Sequence, residues 1–396
     1  MNERVNTPIS TAELERRWSA ARAAMAESRI DVLLMQANND FMGGYVKYFT
    51  DLPATNGYPV TVVFPKDERM TVIGQGAFGM VRELPPEGDG VRRGVARFMG
   101  TPSYASVPYS AGYDAELAER ALERYSSATV GLLGIAAISF ALVDCLKNRF
   151  SRARFIDASD LVDRIKALKS TEEIALMRRT TAMQDAAWEA VLAAIRPGMR
   201  DLEVAAVAEH AGHRHGSEQG LFLCASGPVG TAAIFGNRHL QNRVIREGDY
   251  FTLLIENNGP GGMYTELGRT CVLGRASQEM QDEYEFALRA RKFTLGMLKP
   301  GASPRDLWDA YNAFMRENGR PEEKRLHCHS QGYDMVERPL VRHDETMPIG
   351  ANMVLSCHPT YATERTYSWI CDNYLVGESG VTERLHRSPE RIFELG

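Results

Sequence analysis

"LVDRIKALKSTEEIALMRR", residues 161–179, is where the chain changes character. Ser170 followed three residues later by Glu173 forms a capping box, which opens a helix by satisfying two of its unpaired N–H groups. Ile174, Met177 and Leu192 then recur at helical intervals. "RPGMRD" (196–201) interrupts the pattern, and Asp201 is expected to cap a second helix. Upstream the texture differs. "STAELERRWSAARAAMAESRID" (10–31) reads as an amphipathic helix with Leu14, Trp18, Ala21 and Met25 on one face. The short apolar runs "DVLLMQ", "YPVTVVFP", "MTVIG", "ATVGLLG" and "RARFIDA" follow as strands alternating with helices, the pattern of an α/β domain. Downstream, "GLFLCASG", "DYFTLLIE" and "MYTELGRTCVLG" read as strands. A helical stretch is expected over about 276–318, and "NMVLSCHPTY" and "WICDNYLVGESG" close the chain as strands. Two domains are expected, residues 1–164 and 165–396.

Bulk properties narrow the function classes. The 396 residues are 44% hydrophobic and 24% charged, an ordinary globular balance. The net charge of −5 and the lack of a basic block argue against nucleic acid as a partner. "MNERVNTPISTAELERRW" lacks the apolar segment of a secretory signal, and no apolar run is long enough to cross a membrane. Six cysteines without a CxxC pair suggest reduced thiols in a cytoplasmic protein.

Six segments carry a resemblance. "LVDRIKALKSTEEIALMRR", "VIREGDYFTLLIENNG", "YTELGRT", "HCHSQGYDMVERP", "MVLSCHP" and "CDNYLVGESG" stand in the order, and near the spacing, of the creatinase/aminopeptidase P/prolidase family. The chain resembles that family over nearly its whole length. The resemblance implies a smaller N-terminal α/β domain, a C-terminal catalytic domain of the pita-bread fold, and a homodimer whose site is completed by the neighbouring N-terminal domain.

Metal-dependent members of that family hold two ions with two aspartates, one histidine and two glutamates. On this chain the first aspartate falls on Leu254, with Glu256 two residues further along the strand. The second falls on Glu266, the histidine on His329, and the two glutamates on His358 and Cys371. A further family histidine, ahead of the "GD" motif, falls on Asn237, with His239 two residues away. Two hard cations need several bridging carboxylate oxygens, which this set does not offer. The favoured expectation is therefore metal-free acid–base chemistry by His329, His358 and Glu266, hydrolysing or eliminating at a C–N bond of a small molecule. The first alternative keeps one Zn²⁺ or Fe²⁺, drawn from Glu256, Glu266, His329, His358 and Cys371, in a hydrolase resembling Xaa-Pro peptidases. The second is an inactive small-molecule binding protein. Substrate contacts are expected from Asn237, His239, Tyr264, Glu337, Arg338, Arg342 and Tyr361, with the arginines suited to a carboxylate. Cys328 and Cys357, each beside a histidine on a strand, are expected to face away from it.

Overall fold

The computed structural model describes residues 8–39, 44–236 and 242–396. The chain divides into two compact units, Pro8–Lys166 and, among the described residues, Ala167–Gly396.

The first unit is built on a seven-stranded mixed sheet. Its strands run in the order Val81–Glu83, Val95–Thr101, Met70–Gln75, Val60–Pro65, Val32–Ala37, Thr129–Leu133, Arg154–Asp157. Val32–Ala37 pairs antiparallel with Val60–Pro65 and parallel with Thr129–Leu133. All six residues of Val32–Ala37 are buried, which explains why the run reads as continuous apolar sequence rather than alternation. Leu117 and Ala118 of the helix Ala111–Leu122 and Leu142 and Leu146 of Phe140–Arg149 pack into one core with Val32, Leu34, Val130 and Leu132. Helix Thr11–Glu27 opens on Ser10, whose hydroxyl accepts the Glu13 N–H at 3.1 Å, and it buries Leu14, Trp18, Ala21 and Met25 as expected.

The second unit begins at the capping box. Ser170 Oγ accepts the Glu173 N–H at 3.2 Å, and Glu173 Oε2 accepts the Ser170 N–H at 2.8 Å, opening helix Thr171–Ala194. The next helix, Asp201–Arg214, starts one residue earlier than expected. Asp201 is its first helical residue rather than its cap, because its carboxylate turns to the Arg243 N–H at 3.2 Å while Glu203 accepts the Arg200 N–H. The expected helical stretch over 276–318 is two helices, Gln278–Met297 and Pro304–Glu317. Pro300 and Gly301 break it, and Ser303 caps the second helix with Pro304 in its first turn.

Two sheets position the site. The first has the order Phe393–Leu395, Tyr264–Leu273, Asp249–Asn258, Gly220–Pro228. One face of it, with Leu253, Ile255 and Leu267, packs against Trp188, Val191, Val204 and Ala208 of the two helices. Strand alternation sends Leu254, Glu256, Glu266 and Gly268 to the other face. The second sheet has the order Glu337–Leu340, Cys328–Ser330, Val354–Cys357, Asp372–Gly377, Gly380–Arg384. There Cys328 and Cys357 lie directly opposite each other and pack into the core with Leu307, Trp308 and Tyr374. His329, Ser356 and Asn373 form the adjacent cross-strand row and so point to the opposite face. A backbone bridge, Gly268 N–H to Cys371 C=O at 3.0 Å, is among the contacts that tie the two sheets together. Among the described residues no helix is long and apolar enough to cross a membrane.

Candidate active site

Glu266 is the point on which this row converges. Its backbone N–H donates to Asn373 Oδ1 at 2.8 Å. Its Oε2 accepts the Ser356 hydroxyl at 2.7 Å and lies 3.5 Å from His329 Nε2. His358 follows directly on Val354–Cys357, its backbone N–H held by His327 C=O at 2.8 Å, and its ring centroid lies 5.1 Å from that of His329. One donor atom from each of Glu266, His329 and His358 lies within 4.8 Å of the others, and all three residues are buried.

Protonation states follow from the surroundings. Burial pushes the Glu266 carboxyl up, but His358, His329 and the Ser356 hydroxyl together outweigh it and hold the group at about 2. Burial drives the His358 imidazole down to about 4, against the pull of Glu266. His329 Nδ1 sits 2.9 Å from the Ser330 carbonyl, which can only accept, so that nitrogen carries a proton, and Nε2 faces Glu266. The Nδ1 of His358 is buried with no hydrogen-bond partner.

The remaining expected residues sit differently. Glu256 is the direct cross-strand partner of Glu266 and accepts from Gln331 Nε2 at 3.1 Å, but it lies outside the three-donor cluster. Burial and then the Glu266 charge push its carboxyl well up, so it holds its proton. Cys371 is also outside the cluster. Its Sγ lies 2.9 Å from Ser356 Oγ, and burial followed by the Glu266 charge keeps it a thiol. Leu254 is packed in an apolar cluster with Tyr367 and Trp369. Tyr264 is buried, its hydroxyl accepting from Gln219 at 3.1 Å. Glu337, buried, pairs with Lys169 at 2.7 Å and accepts the Tyr333 N–H at 2.9 Å. Arg338 is paired with Glu345 and Arg342 with Asp344, so each guanidinium already holds a carboxylate of this chain. Tyr361 donates its hydroxyl to Glu283 at 2.8 Å and packs edge-on to Phe286. Asn237 and His239 lie outside the described residues.

Sequence reading passed over Ser356, Asn373, Gln331 and Trp369. Asn373 Nδ2 donates to Gln331 Oε1 at 2.7 Å, which links the Glu266 backbone to Glu256 through two amides. Trp369 lies stacked on His358, centroids 5.4 Å apart at 17°. Strand alternation from His358 back to Ser356 was the one available signal. The others depend on which strands become neighbours.

The profile of metallopeptidase family M24 matches residues 175–381, more than half of the chain. The chain belongs to metallopeptidase family M24. Among its relatives, an uncharacterised hydrolase/peptidase of Sinorhizobium fredii is 25% identical over 394 residues, spanning 96% of both chains. The Xaa-Pro dipeptidase of Pyrococcus furiosus is 26% identical over 279 residues, 67% of this chain and 75% of the relative. In fold the chain is similar to an X-Pro aminopeptidase from Thermotoga maritima, with TM-score 0.79 at 19% identity over 96% of this chain and 99% of that one. It is similar likewise to a Xaa-Pro dipeptidase from Bacillus anthracis, with TM-score 0.76 at 20% identity over 96% and 100%. The resemblance to the creatinase/aminopeptidase P/prolidase family and its two-domain pita-bread architecture is thereby borne out, as is the expectation of a hydrolase.

The expectation that no metal takes part is corrected by this membership. M24 is a family of metallopeptidases, and the residues present fit an ion. Two imidazoles and one carboxylate, all buried, converge within 4.8 Å. That is a three-ligand set of the kind that leaves a position open in catalytic zinc sites. A shortage of carboxylates for two ions does not bear on one, and three donor groups remain together.

Proposed function

We propose that this M24 protein is a divalent-metal hydrolase that cleaves an amide C–N bond in small peptides, using a single ion held by Glu266, His329 and His358. Zn²⁺ suits the mixed nitrogen–oxygen set, and Fe²⁺ is its competitor. The convergence of the three donor groups within 4.8 Å carries this reading. Bound there, an ion polarises a carbonyl and lowers the pKa of a water molecule.

The chain's own groups do the rest. Glu266, ionised, supplies the negative charge that a buried cation requires. The Ser330 carbonyl fixes the His329 tautomer so that Nε2 is the free nitrogen. Glu256 keeps a proton beside the trio and is suited to give it to a leaving amine. The names of the Pyrococcus and Bacillus relatives point to dipeptides with proline in second position as the first substrates to try. The family resemblance supports a homodimer.

Protein purified without chelator is expected to carry about one ion per chain by elemental analysis. It is expected to hydrolyse Ala-Pro or Gly-Pro, to lose that activity on chelation, and to regain it with Zn²⁺ or Fe²⁺. Undiminished hydrolysis by metal-free protein would sink the proposal, and so would two ions per chain.

A further inference from the structure

His329 and His358 are secured in different ways. The first is pinned by a carbonyl on its far nitrogen, the arrangement that usually orients a metal-binding histidine. His358 has a partnerless Nδ1, so another contact must set the plane of its ring. Two rings touch it: His329 edge-on at 62°, and Trp369 nearly parallel at 17°.

Trp369 is itself firmly held. It is 6% exposed and packs on Phe235, centroids 5.2 Å apart, in the cluster with Leu254 and Tyr367. Its edge rests on Gly268, where a Cβ would come within 2.5 Å of the indole Nε1, so the strand approaches the ring only because that residue is glycine. The Nε1 has no hydrogen-bond partner, so packing places the indole.

We propose that Trp369 is a positioning residue for the ion, its indole face fixing the His358 imidazole and closing the site on the Leu254 side. This rests on the reading of His358 as a ligand. The indole takes the part that a carboxylate or carbonyl plays for other metal-binding histidines. A stacked ring costs no buried charge and leaves the imidazole neutral, the form that binds metal.

The test compares Trp369→Phe, Trp369→Leu and Trp369→Ala with the parent protein. Two quantities are measured: the Zn²⁺ dissociation constant, by competition with a chromophoric chelator, and the melting temperature of the metal-free form. Phe keeps a flat face and is expected to bind within about 3-fold of the parent. Leu fills space without a face and Ala opens a cavity, and both are expected to weaken binding about 10–100-fold, the range for outer partners of metal ligands. A merely structural tryptophan would lower the melting temperatures of the Leu and Ala variants and leave their Zn²⁺ affinity unchanged, which overturns the inference. Leu decides the matter if Ala fails to fold. If the parent binds no ion, the ligand assignment falls and this inference with it. If the parent binds and the Leu variant binds as tightly, only the role of the indole falls.

Discussion

Two buried charge clusters lie within a few residues of each other in the second unit, and they are built on opposite principles. Asp372 accepts from Arg269 at 2.7 Å and from Arg291 at 2.6 Å, with Arg269 donating also to the Ser388 and Cys371 carbonyls. Every charge there has its partner inside the protein. In the Glu266–His329–His358 cluster one nitrogen has none. A satisfied buried network holds a structure together, whereas one with a missing member carries the cost of an unpaired group. The difference teaches that burial of charge alone does not mark a site, and that donor atoms converging within 4.8 Å set the second cluster apart.

The sharpest way to break this contrast is to damage the finished cluster. Asp372→Asn is expected to leave the buried Arg269 without a carboxylate and Arg291 with Glu390 alone, and to cost about 3–5 kcal/mol of stability, read by urea unfolding. The Zn²⁺ affinity of the molecules that remain folded should hardly change. Damage to the unfinished cluster should do the reverse. His358→Ala or His329→Ala is expected to lose more than about 100-fold in Zn²⁺ affinity, beyond what an outer partner contributes, and turnover with it. The melting temperature of the metal-free form should stay near that of the parent, and a collapse of that temperature would make these histidines part of the scaffold.

Acid should strain both clusters at once. His386 takes the Asn373 N–H on Nδ1 and gives Nε2–H to Gln184 at 2.8 Å, which fixes it as neutral, and burial pushes it down to about 3 despite Asp372. His358 is pushed down to about 4. An unfolded histidine titrates near 6.5, so as pH falls the unfolded chain takes up protons first. The stability these two residues contribute is complete above about pH 6.5 and drains away as pH drops toward 4 and then 3. The urea midpoint of metal-free protein should therefore fall between pH 7.5 and 5, less steeply in His386→Gln. A flat profile would show that the rings are not held neutral. The mildest change is Ser356→Ala, which removes one hydrogen bond from Glu266 and is expected to weaken Zn²⁺ binding about 10-fold.

Much of the scaffold was legible in the sequence because its signals are local. The capping box at Ser170 and the buried runs in the first unit declare themselves within a few residues. Even the helix break at Pro300 and Gly301, passed over in favour of one long stretch, was written in turn residues. Glu266, His329 and His358 were legible through their surrounding motifs. What the sequence concealed is contact between strands distant along the chain. Glu337 meets Lys169 across 168 residues, and Arg269 meets Asp372 across 103, and no spacing rule reports such pairs. The metal requirement was misjudged for the same reason: a list of replaced positions does not say which of the survivors meet.

The bridge between Gly268 and Cys371 gives the site a mechanical side. Glu266 belongs to one sheet and His329 to the other, so donors from both sides of the seam meet in the cluster. An ion held there, as proposed, would work as a rivet, and at about 1,000 times its dissociation constant it would add about 4 kcal/mol to the folded form. Starvation for the metal would then shorten the protein's lifetime against cellular proteases as well as silencing it, so the supply of the ion would set how much of the enzyme a cell keeps.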